Sequence, residues 1–210
     1  MTSRWYKKQQ TRRNMIDAGL KEIAQGRSFD SLSLREVTRD AGIAPTTFYR
    51  HFRDMEAYGQ AMIEAAEEVV TADAKKLRKQ LLAEGETVRL AVTSLITDMQ
   101  RHPAEYRLLL NLRLGPNPVL RAGATRVLGN LSNSLAEGLS ELSLMRRRPV
   151  EQPRLAAESI TSLLLGRAGD IMAVLHQSAD AIVDDIFDAV RLILQGAEQP
   201  MAPLVQREIA

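Results

Sequence analysis

The chain has 210 residues, no cysteine and a formal net charge of only +2. It is long enough to bury a core without a disulfide or metal, and the missing thiols exclude disulfides, thiolate metal sites and cysteine nucleophiles. No run of about 18 apolar residues is present, and the opening Met1-Thr2-Ser3-Arg4-Trp5-Tyr6-Lys7-Lys8 lacks the apolar stretch of a secretory signal.

Charge is unevenly spread. Residues 1–53 carry a net +6 and the remaining 157 carry −4. A basic head on an acidic body points to a polyanion as the partner of the head, although a solvated charged surface reads the same way by charge alone. Leu, Ala, Arg, Glu and Gln dominate and strand-like alternation is scarce, so the fold class is all-α. A cytoplasmic location is expected.

In chain order, Ile16, Leu20, Ile23 and Ala24 define one face of a first helix over about 8–25, with Gly26 as its left-handed cap. Ser33-Leu34-Arg35-Glu36 reads as a capping box opening a second helix, whose buried face is Leu34, Val37 and Ala41. Gly42 breaks that helix. Pro45 suits the first position of a third, in which Phe48 and Phe52 face inward together. A long fourth helix is expected over about 55–82. Further helices fit 86–100, 103–113, 118–144, 153–176 and 179–196, bounded by Pro103, by Gly115-Pro116-Asn117-Pro118 and by the loop from Pro149 to Pro153. The domain division this suggests is 1–53, a small basic head; 54–198, a larger helical body; and 199–210, a flexible tail.

A capped helix, a glycine corner and a short basic helix form a helix-turn-helix. One helix enters the major groove and its partner braces it on the phosphates. With Phe48 inward, Thr46, Tyr49, Arg50 and Arg53 point outward, and Thr47 and His51 flank them. Hydroxyl and guanidinium groups can donate to phosphates and base edges. Arg35, in the first turn of the second helix, is placed for a guanine edge.

Residues 33–58, SLREVTRDAGIAPTTFYRHFRDMEAY, resemble the N-terminal module of TetR-family regulators, and the likeness extends over about 8–60. It implies a TetR-like fold and DNA contacts by Arg35, Thr46, Thr47, Tyr49 and His51. Ala44 stands where relatives often have Ser, and Met55 where many have a phosphate-binding Lys. SLSLREVTRDAGIAPTTFYRHFRDM and Tyr106-Arg107-Leu108-Leu109-Leu110 are similar, more narrowly, to repressors of unsaturated fatty acid synthesis of the FabR and DesT type. That likeness implies an acyl thioester of coenzyme A or acyl carrier protein as effector. The run Asn111-Leu112-Arg113-Leu114-Gly115 departs from it, being more apolar. A repressor of efflux or catabolic genes with another apolar effector fits the same head, and an acyl-binding protein or enzyme is the rival class.

In the body, Met99, Leu109 and Leu163 are candidate effector contacts, with Arg107 and Arg113 as partners of its polar end. Each equally suits plain core or surface. Ile182, Ile186, Val190 and Ile193 form an apolar stripe read as the surface of a homodimer, with burial inside the monomer as the alternative. No enzyme motif, metal-ligand spacing or cofactor loop is present: His51, His102 and His176 lie far apart. The expected partners are therefore double-stranded operator DNA, a small hydrophobic effector and a second copy of the chain, and no membrane is expected.

Overall fold

The computed structural model describes residues 2–82, 88–146, 150–173 and 179–198. The first helix, α1, runs Thr2–Ala24, well ahead of the expected start. It is buried at Met15, Ile16, Ala18 and Ile23 and exposed throughout residues 4–10. The apolar pattern begins only at Met15, so it marks where the helix meets the core, not where it starts. Gly26, at φ +94°, reverses the chain with its amide on the Ile23 carbonyl, the left-handed stop that a side chain would disfavour.

After a 3-10 turn at Phe29–Ser31 come α2, Leu34–Asp40, and α3, Pro45–Phe48. The helix α4, Met55–Leu82, is the spine. Asp54 opens it by accepting from the amide of Ala57 at 2.8 Å. The body adds α5, Val88–Arg101; α6, Pro103–Arg113; α7, Pro118–Arg146; α8, Pro153–Gly166; α9, Ala168–Ala173; and α10, Ala179–Ala197. Proline stands first in α6, α7 and α8, where its missing N–H costs nothing.

One expected helix, 153–176, is divided. The α8 segment ends at Gly166, and the amide of Arg167 turns back to the carbonyls of Leu163 and Leu165. Glycine is a poor helix former, and α9 begins two residues on, at Ala168. Within the run Arg146-Arg147-Arg148 only the backbone of Arg146 is described, as the end of α7; Arg147, Arg148, His176 and the 199–210 tail lie outside the described residues.

α4 lies along α7, and α7 in turn packs on α8; α6 packs against α1, α4 and α7. Leu, Ile, Ala and Met fill the space, with Met99, Leu108, Leu109 and Leu112 almost completely buried. Two buried carboxylates tie helices together inside it. Asp98 of α5 accepts from Lys76 of α4 at 2.8 Å on each oxygen and from Arg101 of its own helix at 3.4 Å, and Asp73 of α4 accepts from the hydroxyl of Tyr106 of α6 at 3.0 Å. Burial pushes the Asp73 carboxyl above the usual range, and the Tyr106 hydrogen bond partly offsets it.

α10 rests on α5 and α8 of its own chain. Ile186 and Val190 are 1% and 2% exposed, and Ile182 and Ile193 are half-buried. Ile186 and Val190 of the stripe expected to meet a second subunit thus face the monomer core, while Ile182 and Ile193 keep part of their surface open. An amphipathic stripe tells which face is covered but not by what.

Candidate nucleic-acid interface

The head is built from local signals. Ser33 is extended, at φ −107° and ψ 148°; its hydroxyl accepts from the Glu36 amide, and the Glu36 carboxylate accepts from the Ser33 amide at 3.0 Å. This satisfies two otherwise orphaned donors at the start of α2. Arg27 clamps the same carboxylate, donating to Glu36 at 3.1 and 3.2 Å, to Glu22 of α1 at 3.1 Å and to the Ser31 carbonyl at 2.6 Å. The Arg27 bond, then the Ser33 bonds, pull the Glu36 carboxyl down to about 2.

The turn follows from Gly42, whose φ of +68° is left-handed. Its amide donates to Arg39, and the next amide, of Ile43, donates to Thr38 at 2.9 Å. Pro45 then starts α3, behind an Ala44 that offers no side-chain cap. The α-helical part of α3 ends at Phe48, earlier than a long reading helix would. Beyond it the chain keeps turning through tighter bonds, Arg50 to Thr47 at 3.1 Å and His51 to Phe48 at 2.9 Å. Thr46 and Thr47 therefore sit on the helix, and Tyr49, Arg50 and His51 on its 3-10-like continuation.

The inner side of this turn is fixed. Phe48 and Phe52 are buried, and their rings lie 5.6 and 5.1 Å from that of Tyr58 in α4. The Tyr58 hydroxyl donates to the Met15 carbonyl of α1 at 2.6 Å. Gly19 leaves room for that hydroxyl, because a Cβ there would collide with it. Burial pushes the Tyr58 phenol far above its ordinary value, so it stays a donor. The sequence pattern singles out the two Phe residues but not Tyr58 and Gly19, whose partners are distant in sequence.

The outer side is open. Tyr49 is 64% exposed, standing edge-on to Phe48, and Arg35, Thr46 and Arg50 are exposed. Thr47 and His51 are half-buried at the edge of the same surface. Arg39 and Arg53 are exposed and pair with their chain neighbours Asp40 and Asp54. Partial burial, then the charges of Lys8 and Arg12, lower the pKa of His51. The imidazole is thus held toward its neutral form in a cationic setting that a phosphate would relieve.

The five candidate effector contacts do not converge. Met99 and Leu109 are core, and Leu163 is half-buried. Arg107 donates to the Ala24 carbonyl at the end of α1, so it ties body to head. Arg113 borders an open groove between α7 and α8 with Thr125, Ser132, Glu158 and Thr161. A separate, wholly apolar cavity of about 30 Å³ lies between α4, α5, α7, α8 and α10, lined by residues that include Leu77, Leu95, Leu135, Leu164, Val190 and Leu194. Among the described residues no cluster of His, Asp and Glu is arranged to hold a metal, and no helix is long and apolar enough to cross a membrane.

A capped brace, a left-handed corner and a short basic turn backed by aromatics make this head a helix-turn-helix DNA-binding unit. Residues 15–58 match the family model described as bacterial regulatory proteins, tetR family. Solved structures extend the likeness to the whole fold. A protein from Mesorhizobium loti assigned to the TetR family of transcriptional regulators is 18% identical, with 90% of this chain and 97% of that one covered and a TM-score of 0.68. The fatty acid degradation regulator FadR from Bacillus halodurans is 21% identical, with 91% and 96% covered and a TM-score of 0.61. The TetR-family repressor AlkX from a Dietzia species, implicated in biodegradation of n-alkanes, is 22% identical, with 89% and 98% covered and a TM-score of 0.51. Residues 15–58 thus match the TetR-family DNA-binding domain, and the chain that carries them has the TetR-like fold.

Proposed function

We propose that the protein is a sequence-specific repressor that binds a near-palindromic operator as a homodimer and is controlled by a small apolar effector. One observation carries the reading: Thr46, Tyr49 and Arg50 stand exposed on the outside of a turn whose inside is anchored by Phe48, Phe52 and Tyr58. Thr46, Thr47 and Tyr49 meet base edges, Arg35 reaches a guanine, and Arg50 and His51 contact phosphates. The test is a gel shift on the tightest duplex selected by the full chain from a randomised library. Tyr49→Ala weakens binding by at least tenfold with unchanged helicity. An unaltered midpoint removes Tyr49 from the interface.

The second subunit covers an apolar surface that the monomer leaves open. Leu155 of α8 and Leu192 of α10 are 54% and 66% exposed. Ser162 and Gly166 share the face of Leu155 and allow close helix approach.

The effector is an alkyl or acyl chain that opens the apolar cavity behind Leu77, Leu95 and Leu164. The cavity's 30 Å³ is about the volume of one water, so occupancy needs α5 or α10 to move relative to α4. Such a shift can tilt α4 and the head it carries, which couples ligand to DNA. The FabR and DesT resemblance, and the fatty acid and alkane contexts of two structural neighbours, favour a lipid-derived ligand. Native mass spectrometry against acyl thioesters, free fatty acids and alkanes, paired with operator binding, tests this. Absence of any bound species leaves an effector-independent repressor.

A further inference from the structure

The first turns of α1 extend beyond anything the core requires. Residues 4–10 are exposed on every side, and Trp5 and Tyr6 are 65% and 66% exposed. From Arg4 to Arg13 there are five cations and no acid. At about 100° per residue, Arg4, Trp5, Lys8 and Arg12 fall within an arc of about 100°. The same arc, followed toward the C-terminus, carries Met15, Gly19 and Ile23, the side on which α1 meets the core. The core-facing side of the helix therefore runs out past the body, changing from apolar to cationic and aromatic as it leaves.

It leaves beside the reading turn. The Arg12 guanidinium sits 5.4 Å from the centre of the Phe52 ring and reaches Glu64 of α4 at 3.4 Å. Lys8 and Arg12 are also close enough to bear on the charge of His51. From Arg12 to Thr2 the helix is about 15 Å long, the length of roughly four base pairs.

We infer that this helical arm is a second DNA-contacting element, which lies on duplex flanking the sequence read by α3. Arg4 and Lys8 neutralise phosphates there, and the Trp5 ring packs against the sugar edge of the groove with its indole N–H as a donor. Duplex DNA suits the arm better than a protein groove. The cations surround the aromatic, no acid or aliphatic residue interrupts them, and the recognition surface already brings a polyanion alongside. Two exposed aromatics on a projecting helix are then explained by a partner that covers them. This proposal rests on the operator-binding reading but fails separately from it.

Trp5 is the only tryptophan in the chain, so its emission reports on the arm alone. The experiment uses the full-length protein and the duplex selected from a randomised library, with its flanks either kept or trimmed by about four base pairs at each end. With flanks present, Trp5 emission is quenched at the same DNA concentration that gives the gel shift. Trimming the flanks abolishes the quench while retention of the core complex persists. Trp5→Ala weakens binding to the flanked duplex roughly tenfold and leaves binding to the trimmed one unchanged. Arg4→Ala with Lys8→Ala lowers the slope of affinity against salt by about 1.8 per protomer on the flanked duplex. The proposal is overturned if emission and Trp5→Ala affinity do not respond to a duplex that the wild type binds; the repressor reading survives that result. It is overturned in favour of a lipid surface if only phosphatidylglycerol vesicles change the emission, and in favour of self-association if protein concentration alone does. Selection of no duplex overturns both readings.

Discussion

The head and the body of this molecule are specified in different ways. In the head, single residues do geometrically particular things. Ser33 and Glu36 cap, Gly42 turns, Phe48 and Phe52 anchor, and Tyr58 bonds the carbonyl of Met15 across to α1. In the body a large core of Leu, Ile, Ala and Met is filled by volume, with Asp73 and Asp98 as the buried groups that demand exact partners. A reading surface must be placed to within a fraction of an ångström, whereas the proposed effector chamber gains from pliant packing. The difference predicts where substitutions are felt.

The largest effect separates the two faces of α10. Val190→Asp places an unpaired carboxylate in the monomer core, where Val190 is 2% exposed, and the chain loses its cooperative thermal transition. Leu192→Asp, two residues on and 66% exposed, leaves the monomer folded but halves the mass in sedimentation if that face meets a second subunit. Equal loss of folding by both would mean that the monomer core extends to the outer face.

Next comes the contrast of anchors. Phe48→Ala costs about 3–5 kcal/mol, because its cavity opens among Tyr49, Phe52 and Tyr58, rings that cannot all close over it. Leu109→Met, equally buried in the body, costs less than about 1.5 kcal/mol. Chemical denaturation of both variants measures this, and similar losses would erase the distinction between a shaped head and a volume-filled body. Gly42→Ala follows at about 1–3 kcal/mol, the cost of a left-handed non-glycine residue, although open space surrounds the position.

The same contrast explains what was legible in the sequence. The capping box, the glycine corner, Pro45 and the inward Phe pair are local signals, each readable within four residues. Tyr58 and Gly19 were not, because their meaning depends on a contact 43 residues apart for the Tyr58 bond to Met15. Arg107 reads equally as a partner for an effector's polar end or as plain surface, and its partner is a main-chain carbonyl 83 residues away. The α10 stripe was visible, but its covering belongs to α5 and α8, which no periodicity reveals. Candidate effector residues were the least legible, since a pocket lining and a plain core share the same composition.

The smallest effect tests the head electrostatically. Glu36 is held down to about 2 by Arg27 and Ser33, against an ordinary value of 4.5. A carboxylate with a lowered folded-state pKa stabilises fully above its unfolded value, and that contribution fades as pH falls through the folded value. Glu36→Gln keeps an acceptor for the Ser33 amide but loses the charge that Arg27 clamps. Its melting temperature therefore lies below wild type near neutrality, and the gap narrows from about pH 4.5 downward until it closes near pH ~2. Body ion pairs such as Arg126 with Glu67 weaken equally in both proteins and cancel in the difference. A gap that stays constant across this range would mean that Glu36 acts only as a neutral cap. The link from α1 through Arg27 to α2 would then be steric, and the placement of α2 would rest on Gly42 and the Phe48–Phe52–Tyr58 rings alone.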